Sequence, residues 1–407
     1  MDAHGRMEII RGLCSFEGRL AGTDAERRAA NWLADRLREH GRRAEVEPTY
    51  LHPQIGLILA AHATLGFGGS LLAIAEPVAG FAIVFATAVS LYFDFNTRFY
   101  LLRRLFFRRG SQHVFSRADR DNRPAELILV AHYDAARTGF IYNERSRRRE
   151  ARIPPGARGV LAPPRLLFWS LAVLLPILGV RMAGLDESWL NLIQLPPTLV
   201  LLVATFLLVD IQLSDVVPGA NDNASGVAVA LSAVEALDAD PPRHLAVSVL
   251  LTGGQECLLE GMRAFVRRYR KQADRESTYF VALEMLGRGP ALHYLTGEGL
   301  AVTYRHSTRL AQLCEAIATV SREDGGDLDA SPAVLPTASD ALPATLAGYP
   351  ALALRRMADN GLPGTEHHTP YDTPDHIQPE ALARSERFVV ELARQLDRDV
   401  GRRAGER

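Results

Sequence analysis

The chain has 407 residues, 46 of them Lys or Arg and 47 Asp or Glu, which gives a formal net charge of −1. This length is too great for one small core and predicts one large domain with additional segments, while the balanced charge excludes nucleic acid as an expected partner. The three cysteines are far apart and odd in number, so a disulfide framework is not expected and a reducing compartment is favoured. The N-terminal segment, MDAHGRMEIIRGLCSFEGRL, has no apolar stretch with a small-residue cleavage site, so no secretory signal is predicted.

The first apolar region follows a helix that we predict over residues 24 to 40, beginning after Thr23 as its N-cap. Residues 55 to 93 then carry one acidic residue and no Lys or Arg. As one helix this stretch would be about 58 Å long, roughly twice the hydrocarbon thickness of a bilayer. We therefore expect two helices that are separated at Glu76-Pro77, because proline interrupts a helix.

A second apolar pair covers residues 165 to 184 and 188 to 211. These lengths without amphipathic spacing favour four membrane spans, in two hairpins, over buried helices of a soluble domain. Arginines crowd the segments that flank the hairpins, so the positive-inside bias predicts a multi-pass protein of the cell (inner) membrane whose remaining chain faces the cytoplasm. The cluster at 145 to 152 also suits a solvated loop. The flanking arginines are Arg98, Arg103, Arg104, Arg108, Arg109, Arg145, Arg147, Arg148, Arg149, Arg152, Arg158 and Arg165, and the turn charges are Glu76, Arg181, Asp186 and Glu187.

The chain outside the hairpins reads as alternating strands and helices. Short continuous apolar runs predict strands that are buried on both faces, and their alternation with helices predicts an α/β fold with a mostly parallel central sheet flanked by helices. The expected domain is discontinuous, at 1–52, 94–164 and 212–407, with hairpin 1 at 53–93 and hairpin 2 at 165–211. The predicted strands cover 125–132, 244–252, 277–286, 291–296 and 349–355, and the further helices 224–238, 257–272, 304–321 and 378–398.

Polar residues gather where the predicted strands end, which is where ligands bind in open α/β sheets. Asp222 alone could be a helix cap, but Glu284 lies within an apolar strand and needs a cation or hydrogen-bond donors. Two imidazoles and three carboxylates on separate strand ends suit two divalent metal ions bridged by one carboxylate. Asp134 is expected to orient His132. The candidate residues are His132, Asp134, Asp222, Gln255, Glu256, Glu284, His367 and His368.

Five motifs, VAHYDA, GANDNASGVAVAL, QECLLEGMRAF, LEMLG and HTPYDTPDHI, resemble in this order those of peptidase family M28, the co-catalytic zinc aminopeptidases and their carboxypeptidase relatives. The resemblance covers nearly all of the chain outside the hairpins and implies a zinc exopeptidase-like fold with two Zn²⁺ ions; carboxylate-rich sites also accept Mn or Co. It implies that Asp222 bridges the two metals. Glu256 and His368 would complete one metal site. His132 and Glu284 would complete the other.

The residue before the metal-binding glutamate is the general base in this family, and here it is Gln255. An amide can position a water but cannot accept its proton, and loss of a general base typically lowers a rate about 100- to 10,000-fold. Glu260 or Glu366 could supply a base instead. His367 is expected to be a neighbour of the site, because the family's ligand directly precedes the threonine. Further departures are Glu284 for the more frequent Asp, Leu258 and Met262 for Gly and Ser, and Ala341 after Ser339-Asp340 where a His is frequent.

Three functions remain open at this point. The first is a membrane-anchored zinc exopeptidase of the aminopeptidase type, with a peptide as substrate and the lipid bilayer as partner. The second is a catalytically impaired M28-like metal-binding protein that binds a peptide or a partner protein, which Gln255 favours. The third is a membrane scaffold or transport component with a regulatory M28-like domain. Within the spans, polar side chains are few apart from His62 and Asn191, which argues against a polar substrate pathway.

Overall fold

The protein centres on one mixed β-sheet. The computed structural model describes residues 1–120, 123–185, 187–358 and 361–405; Asp186, one of the turn charges named above, lies outside the described residues. The described strands are β1 (Glu45–Leu51), β2 (Arg109–Ser116), β3 (Ala125–His132), β4 (Leu245–Thr252), β5 (Thr278–Glu284), β6 (Ala291–Glu298), β7 (Tyr304–Arg305), β8 (Ala330–Leu335) and β9 (Ala351–Met357). They follow the order β1-β2-β4-β3-β5-β9-β6-β7, and β8 pairs with β6.

The middle of the sheet is parallel, as expected from continuous apolar runs. Strands β4, β3, β5 and β9 run in one direction, with His132 beside Thr252 and Glu284 beside Arg355. The five predicted strands are present within a few residues of their predicted bounds. Strands β1, β2, β7 and β8 were not predicted; β1 and β2 form an antiparallel extension of the edge at β4. The predicted α/β class with a central sheet flanked by helices is confirmed.

Helices cover both faces of this sheet. One face carries the larger apolar core, against α1 (Ala3–Cys14), α2 (Asp24–Glu39), α9 (Ser225–Ala239), α11 (Thr308–Glu323) and α13 (Pro379–Gly405). The other face packs against α10 (Glu260–Tyr269) and α12 (Ala341–Leu346). The helix predicted at 257 to 272 begins later than expected, because Leu258 and Leu259 have φ angles of 56° and 58°, outside the right-handed helical region.

Four apolar helices form a separate bundle, which we call the hairpin bundle. They are α3 (Ile55–Ala75), α4 (Pro77–Phe95), α7 (Pro163–Met182) and α8 (Ser188–Leu213). By length and composition, each could cross a membrane. The predicted break at Glu76-Pro77 is confirmed. Inside the bundle the amide of Gln194 donates to the Ser70 carbonyl oxygen at 2.7 Å, so the helices are joined by polar contacts that the sequence did not single out.

Two short helices, α5 (Glu144–Arg152) and α6 (Pro155–Leu161), connect β3 to α7. The arginine cluster at 145 to 152 therefore forms a helix and not a loop. No described residue of α5 is buried. Asn143 caps the helix, because its side-chain oxygen accepts the backbone N–H of Ser146 at 2.8 Å.

Candidate metal centre

Asp222 lies at the centre of a cluster of imidazoles beyond the carboxyl ends of the parallel strands. Its Oδ1 is 3.2 Å from Nε2 of His132, the last residue of β3. Its Oδ2 is 3.0 Å from Nε2 of His367 and 3.2 Å from Nε2 of His368, both in the chain that follows β9. His368 Nε2 also lies 3.6 Å from Oε1 of Glu256, which follows β4. The fold thus brings residues from three strand ends around one carboxylate.

The backbone of Asp222 is held by a second aspartate. The Asp372 carboxylate accepts the backbone N–H of Asn221 at 2.7 Å and that of Asp222 at 3.0 Å. The buried Arg19 guanidinium donates to the carbonyl oxygens of Tyr133 and Gly219 at 2.9 and 2.8 Å. These contacts fix the turn that precedes α9 and keep its backbone polar groups satisfied inside the protein.

Asp134 binds the loop that carries Gln255 and Glu256. Its two carboxylate oxygens accept the backbone N–H of Gln255 at 3.2 Å and that of Glu256 at 3.0 Å. Its Oδ1 lies 3.5 Å from His132 Nδ1, which is nearer to the backbone oxygen of Asp134, at 3.2 Å. Asp134 therefore positions two parts of the cluster, and its contact with the Gln255 loop is the closer one.

Glu284 ends β5 and is buried, with 6% of its surface exposed. Its carboxylate accepts the backbone N–H of Asp340 at 3.3 Å. Burial raises the pKa of Glu284 to about 8, although Arg355 and His132 act in the opposite direction. A buried carboxyl group with this pKa either keeps a proton at neutral pH or needs a nearby cation. Glu284 stands outside the group of atoms that surround Asp222.

His367 is as close to Asp222 as His368 is, which the sequence reasoning did not anticipate. The Arg147 guanidinium of α5 lies 2.9 Å from Nδ1 of His367 and donates to its carbonyl oxygen at 2.7 Å. Because a guanidinium only donates, Nδ1 must be the unprotonated nitrogen of a neutral ring, and Nε2–H then donates to Asp222. Burial lowers the pKa of His367 to about 3, and the neighbouring His368 acts in the same direction. The Tyr142 ring lies 4.7 Å from that of His368.

Gln255 is partly buried and directly precedes Glu256 in the loop after β4. Its backbone is fixed by Asp134, while its side-chain amide is 3.5 Å from the carbonyl oxygen of Ala338. The two nearby acids are both engaged elsewhere. Glu260 accepts from the His52 backbone N–H at 2.8 Å and from Arg103 at 3.0 Å, and Glu366 pairs with Arg288 at 2.7 Å. Among the described residues, neither carboxylate belongs to the groups of ligand atoms around Asp222.

The backbone around the cluster is strained. Five described residues other than glycine have positive φ, and four of them, Leu258, Leu259, Met285 and His368, adjoin or belong to the candidate site. Such a conformation costs an L-residue about 1–2 kcal/mol. Strain of this kind concentrates at functional sites, where surrounding structure holds it in place.

The donor set fits divalent metal ions. Ligand atoms lie within 4.8 Å of one another in two groups, one formed by Asp222, His367 and His368 and one by His132, Asp222 and Glu256. Asp222 belongs to both groups, as a bridging ligand would. Nε2 of His132 is buried and lies 3.2 Å from Oδ1 of Asp222. Burial raises the pKa of Asp222, but hydrogen bonds from His132 and the two other imidazoles outweigh it, so the net pKa lies well below the ordinary value.

Three contributors were missed by the sequence reasoning. Arg147 and Tyr142 come from the segment between β3 and α7, where the arginines suggested a membrane flank or a solvated loop. Asp372 lies within the quoted HTPYDT motif, four residues after His368, and that spacing was the one available signal.

Residues 205–393, slightly less than half of the chain, match the sequence profile of peptidase family M28. The match includes Asp222, Glu256, Glu284 and His368 and leaves out His132. No curated protein sequence matches the chain. The resemblance inferred from the motifs is confirmed by the profile match.

Solved structures of zinc exopeptidases are similar to this fold. A zinc aminopeptidase from Bacillus subtilis is 14% identical, with a TM-score of 0.54, over 96% of this chain and 94% of that one. A Zn-dependent exopeptidase from Parabacteroides distasonis is 12% identical, with a TM-score of 0.54, over 96% and 97%. A glutaminyl cyclase from Porphyromonas gingivalis is 13% identical, with a TM-score of 0.55, over 98% and 99%. At these identities the likeness is one of fold, and the fold hosts more than one reaction.

Proposed function

We propose that the protein, of which residues 205–393 match the profile of peptidase family M28, is a membrane-anchored zinc exopeptidase of the aminopeptidase type. The observation that carries the proposal is the convergence of three imidazole nitrogens on the two oxygens of Asp222, with Glu256 adjoining them. A carboxylate that has other ligand side chains near each of its two oxygens suits a pair of metal ions, because each oxygen can bind one ion. Zn²⁺ is the expected metal, and carboxylate-rich sites also take Mn or Co.

The proposed ligands are divided as the family resemblance implies. Asp222 would bridge the ions. Glu256 and His368 would hold one ion, and His132 and Glu284 the other. When bound, such ions supply the Lewis acidity that polarises a peptide carbonyl and lowers the pKa of a water.

The chain's own residues have three further tasks. Asp134 fixes the backbone of Gln255 and Glu256 and so sets the distance from this loop to Asp222. His367 donates a hydrogen bond to Asp222 in the orientation that Arg147 imposes. Gln255 would orient a water or the substrate amine by hydrogen bonding, but its amide cannot take up the proton that a glutamate would accept. We therefore expect slow turnover.

Gln255 also supports a second candidate function, a metal-binding protein that captures a peptide or a partner protein without hydrolysis. Loss of the base would leave the metal ligands unchanged and lower the rate about 100- to 10,000-fold. Both functions share the metal centre, and they differ in turnover alone.

The membrane placement belongs to the same proposal. We infer two hairpins, at 53–93 and 165–211, inserted into a discontinuous peptidase domain at 1–52, 94–164 and 212–407. The arginines on the flanking segments favour a cell (inner) membrane location with the peptidase domain in the cytoplasm.

Full-length protein purified in detergent tests the proposal. After equilibration with Zn²⁺, we expect about two ions per chain by elemental analysis and slow release of N-terminal residues from a panel of aminoacyl substrates. Asp222→Asn should abolish both, whereas the exposed Asp324→Asn should change neither. Two bound ions without hydrolysis of any substrate would favour the binding protein, and failure to retain metal would contradict both functions.

A further inference from the structure

Both hairpins enter and leave the domain at the edge of the sheet where the candidate site lies. Strand β1 runs parallel to β4, because each pairs antiparallel with β2. The chain therefore passes from the end of β1 into α3, and from α4 back into the start of β2, at the carboxyl edge of β4. The second hairpin leaves after His132 at the end of β3 and returns towards Asp222. All four connections lie on the metal side of the domain.

The connection from α8 to the site is short. Eight residues lie between Leu213, the last residue of α8, and Asp222, which limits the span to about 30 Å even for a fully extended chain. The end of α8 also contacts the chain that follows β3. Oδ2 of Asp210 in α8 accepts the backbone N–H of Phe140 at 2.6 Å, and Arg137 donates to the Ser214 carbonyl oxygen at 2.5 Å.

Two loops of the site pack directly on the hairpin bundle. Leu258 and Ala338 are partly buried against its apolar cluster. Leu258 is two residues beyond Glu256, and Ala338 accepts the weak contact from Gln255. Leu300 and Ala301 are fully part of the same cluster, and the indole N–H of Trp169 in α7 donates to the Ala301 carbonyl oxygen at 3.2 Å.

Leu258 shows that this packing is built into the site. Its φ of 56° is one that glycine adopts without strain. A leucine there costs about 1–2 kcal/mol, and burial of its side chain against the hairpin bundle offsets that cost. The loop that carries Glu256 is therefore packed against the helices expected to lie in the membrane.

Exposed aromatic and basic side chains lie on segments that adjoin the site in the chain. Phe140 is 64% exposed and Tyr371 is 70% exposed, and Tyr142, two residues after Phe140, packs its ring on His368. Helix α5 follows directly and carries four exposed arginines besides Arg147, which contacts His367. Aromatic and cationic side chains of this kind are typical of the headgroup region of an anionic membrane surface.

We propose that the site acts on peptides that lie in the membrane surface, with an apolar segment in the bilayer and a free N-terminal end that reaches the metal centre along Phe140 and Tyr371. This inference rests on the proposed exopeptidase function and on membrane insertion of the hairpins. It names the substrate class as membrane-anchored or amphipathic peptides rather than small soluble ones. The aromatic side chains would hold the apolar part, and α5 would lie against anionic headgroups.

A spacer series in proteoliposomes tests the inference. The protein is reconstituted with its metal domain outward, in vesicles that contain anionic lipid. The substrates share one leucyl N-terminal sequence, joined by 4, 8, 16 or 32 residues (about 14 to 115 Å when extended) to an apolar helix of about 20 residues that spans the bilayer. The same N-terminal sequence without the helix serves as the soluble substrate.

We expect kcat/KM to be highest at spacers of about eight residues or fewer and to fall by about tenfold at the longest spacer, because the site lies within about 30 Å of the helix end. If the vesicle only concentrates the substrate near the enzyme, kcat/KM will stay constant or rise with spacer length. That result would overturn the inference. Phe140→Ser and Tyr371→Ser should lower kcat/KM for the short-spacer substrate, and Val334→Ser, an exposed change on β8, should not. If soluble and anchored substrates have equal kcat/KM, the inference about membrane-anchored substrates is wrong but the exopeptidase function stands. If neither substrate is hydrolysed, the exopeptidase function itself is contradicted.

Discussion

The carboxylate of Asp134 accepts the backbone N–H of Gln255 at 3.2 Å, and its second oxygen accepts that of Glu256 at 3.0 Å. One buried side chain thus sets the position of a proposed metal ligand and of the residue in the general-base position. Its contact with His132, which the sequence predicts, is longer at 3.5 Å. The main role of Asp134 is therefore to hold the loop after β4 in position.

Removal of this support should loosen metal binding. Asp134→Ala leaves two partly buried N–H groups without their acceptor and frees the loop of Glu256. We expect Zn²⁺ affinity to fall about 10- to 100-fold, the usual effect of losing a group that orients a ligand. Competition with a chelating dye measures this change. Asp134→Asn, which retains one acceptor oxygen, should fall between the wild type and Asp134→Ala, and equal affinity for all three proteins would refute the role.

The two adjacent histidines should behave differently. His368 lies near both Asp222 and Glu256, whereas His367 uses one nitrogen for Arg147 and donates with the other to Asp222. We expect His368→Ala to remove one metal ion per chain and His367→Ala to retain both ions with weaker affinity. Elemental analysis after gel filtration distinguishes these results.

Arg147 provides the matched test of that assignment. Arg147→Ala should reproduce the effect of His367→Ala, because the ring loses the donor that fixes its tautomer. Arg148→Ala, an exposed neighbour on α5, should resemble the wild type. Loss of a complete ion in His367→Ala would make His367 a ligand and contradict this reading.

A buried ionic cluster joins α4 to the start of α10. The fully buried Arg103 lies 2.6 Å from Asp94 and 3.0 Å from Glu260 and donates to the Cys257 carbonyl oxygen at 2.9 Å. Arg103→Ala removes the guanidinium from buried Asp94 and leaves Glu260 with His52 as its neighbour, and breaking a buried ion pair typically costs about 3–5 kcal/mol. We expect a clearly lower unfolding temperature in detergent, while the exposed Arg104→Ala should unfold like the wild type. Equal unfolding temperatures would show that the cluster contributes no stability.

Glu26 predicts a dependence of stability on pH. It is fully buried, and its carboxyl oxygens accept from the Gly22 backbone N–H and the Ser111 hydroxyl at 2.7 Å each. Burial raises its pKa from 4.5 to about 8, so between these pH values the folded protein holds a proton that the unfolded chain releases. Its contribution is complete below pH 4.5 and is lost as the pH rises through 8.

The matched variants separate this effect from other titrations. Glu26→Gln cannot ionise, so the unfolding temperature should fall less between pH 5 and pH 8.5 than in the wild type, whereas the exposed Glu39→Gln should follow the wild type. Parallel curves for Glu26→Gln and the wild type would show that Glu26 does not cause the dependence.

The parts of the fold that the sequence predicted are those with continuous apolar runs. Strand β3 and the helices of the hairpin bundle carry unbroken apolar segments, so their pattern determines their structure. Strand β1, EVEPTYL, contains Pro48 and alternates in exposure, because it is completed by pairing with β2 and not by burial of both faces. A strand of this kind depends on a partner that is 58 to 70 residues away in the chain.

The sequence predicted those site residues whose chemistry requires one particular residue type. Asp222, Glu256 and His368 stood in recognisable motifs and come together around one point. Arg147 was not predictable, because its contact with His367 joins residues 220 positions apart, and its own neighbourhood is a run of arginines. The sequence also did not indicate the left-handed backbone conformation at Leu258, because leucine rarely adopts it.

The most direct test of the account is the steady-state rate of Gln255→Glu beside that of the wild type, at equal metal content. The variant restores a proton acceptor next to Glu256 without altering a ligand, so we expect kcat to rise by about 100-fold or more with two ions still bound. Gln255→Met, of similar size and without a polar group, should be no faster than the wild type. A Gln255→Glu protein that retains two ions and turns over no faster than the wild type would contradict the claim that this site is an exopeptidase centre limited by its missing base.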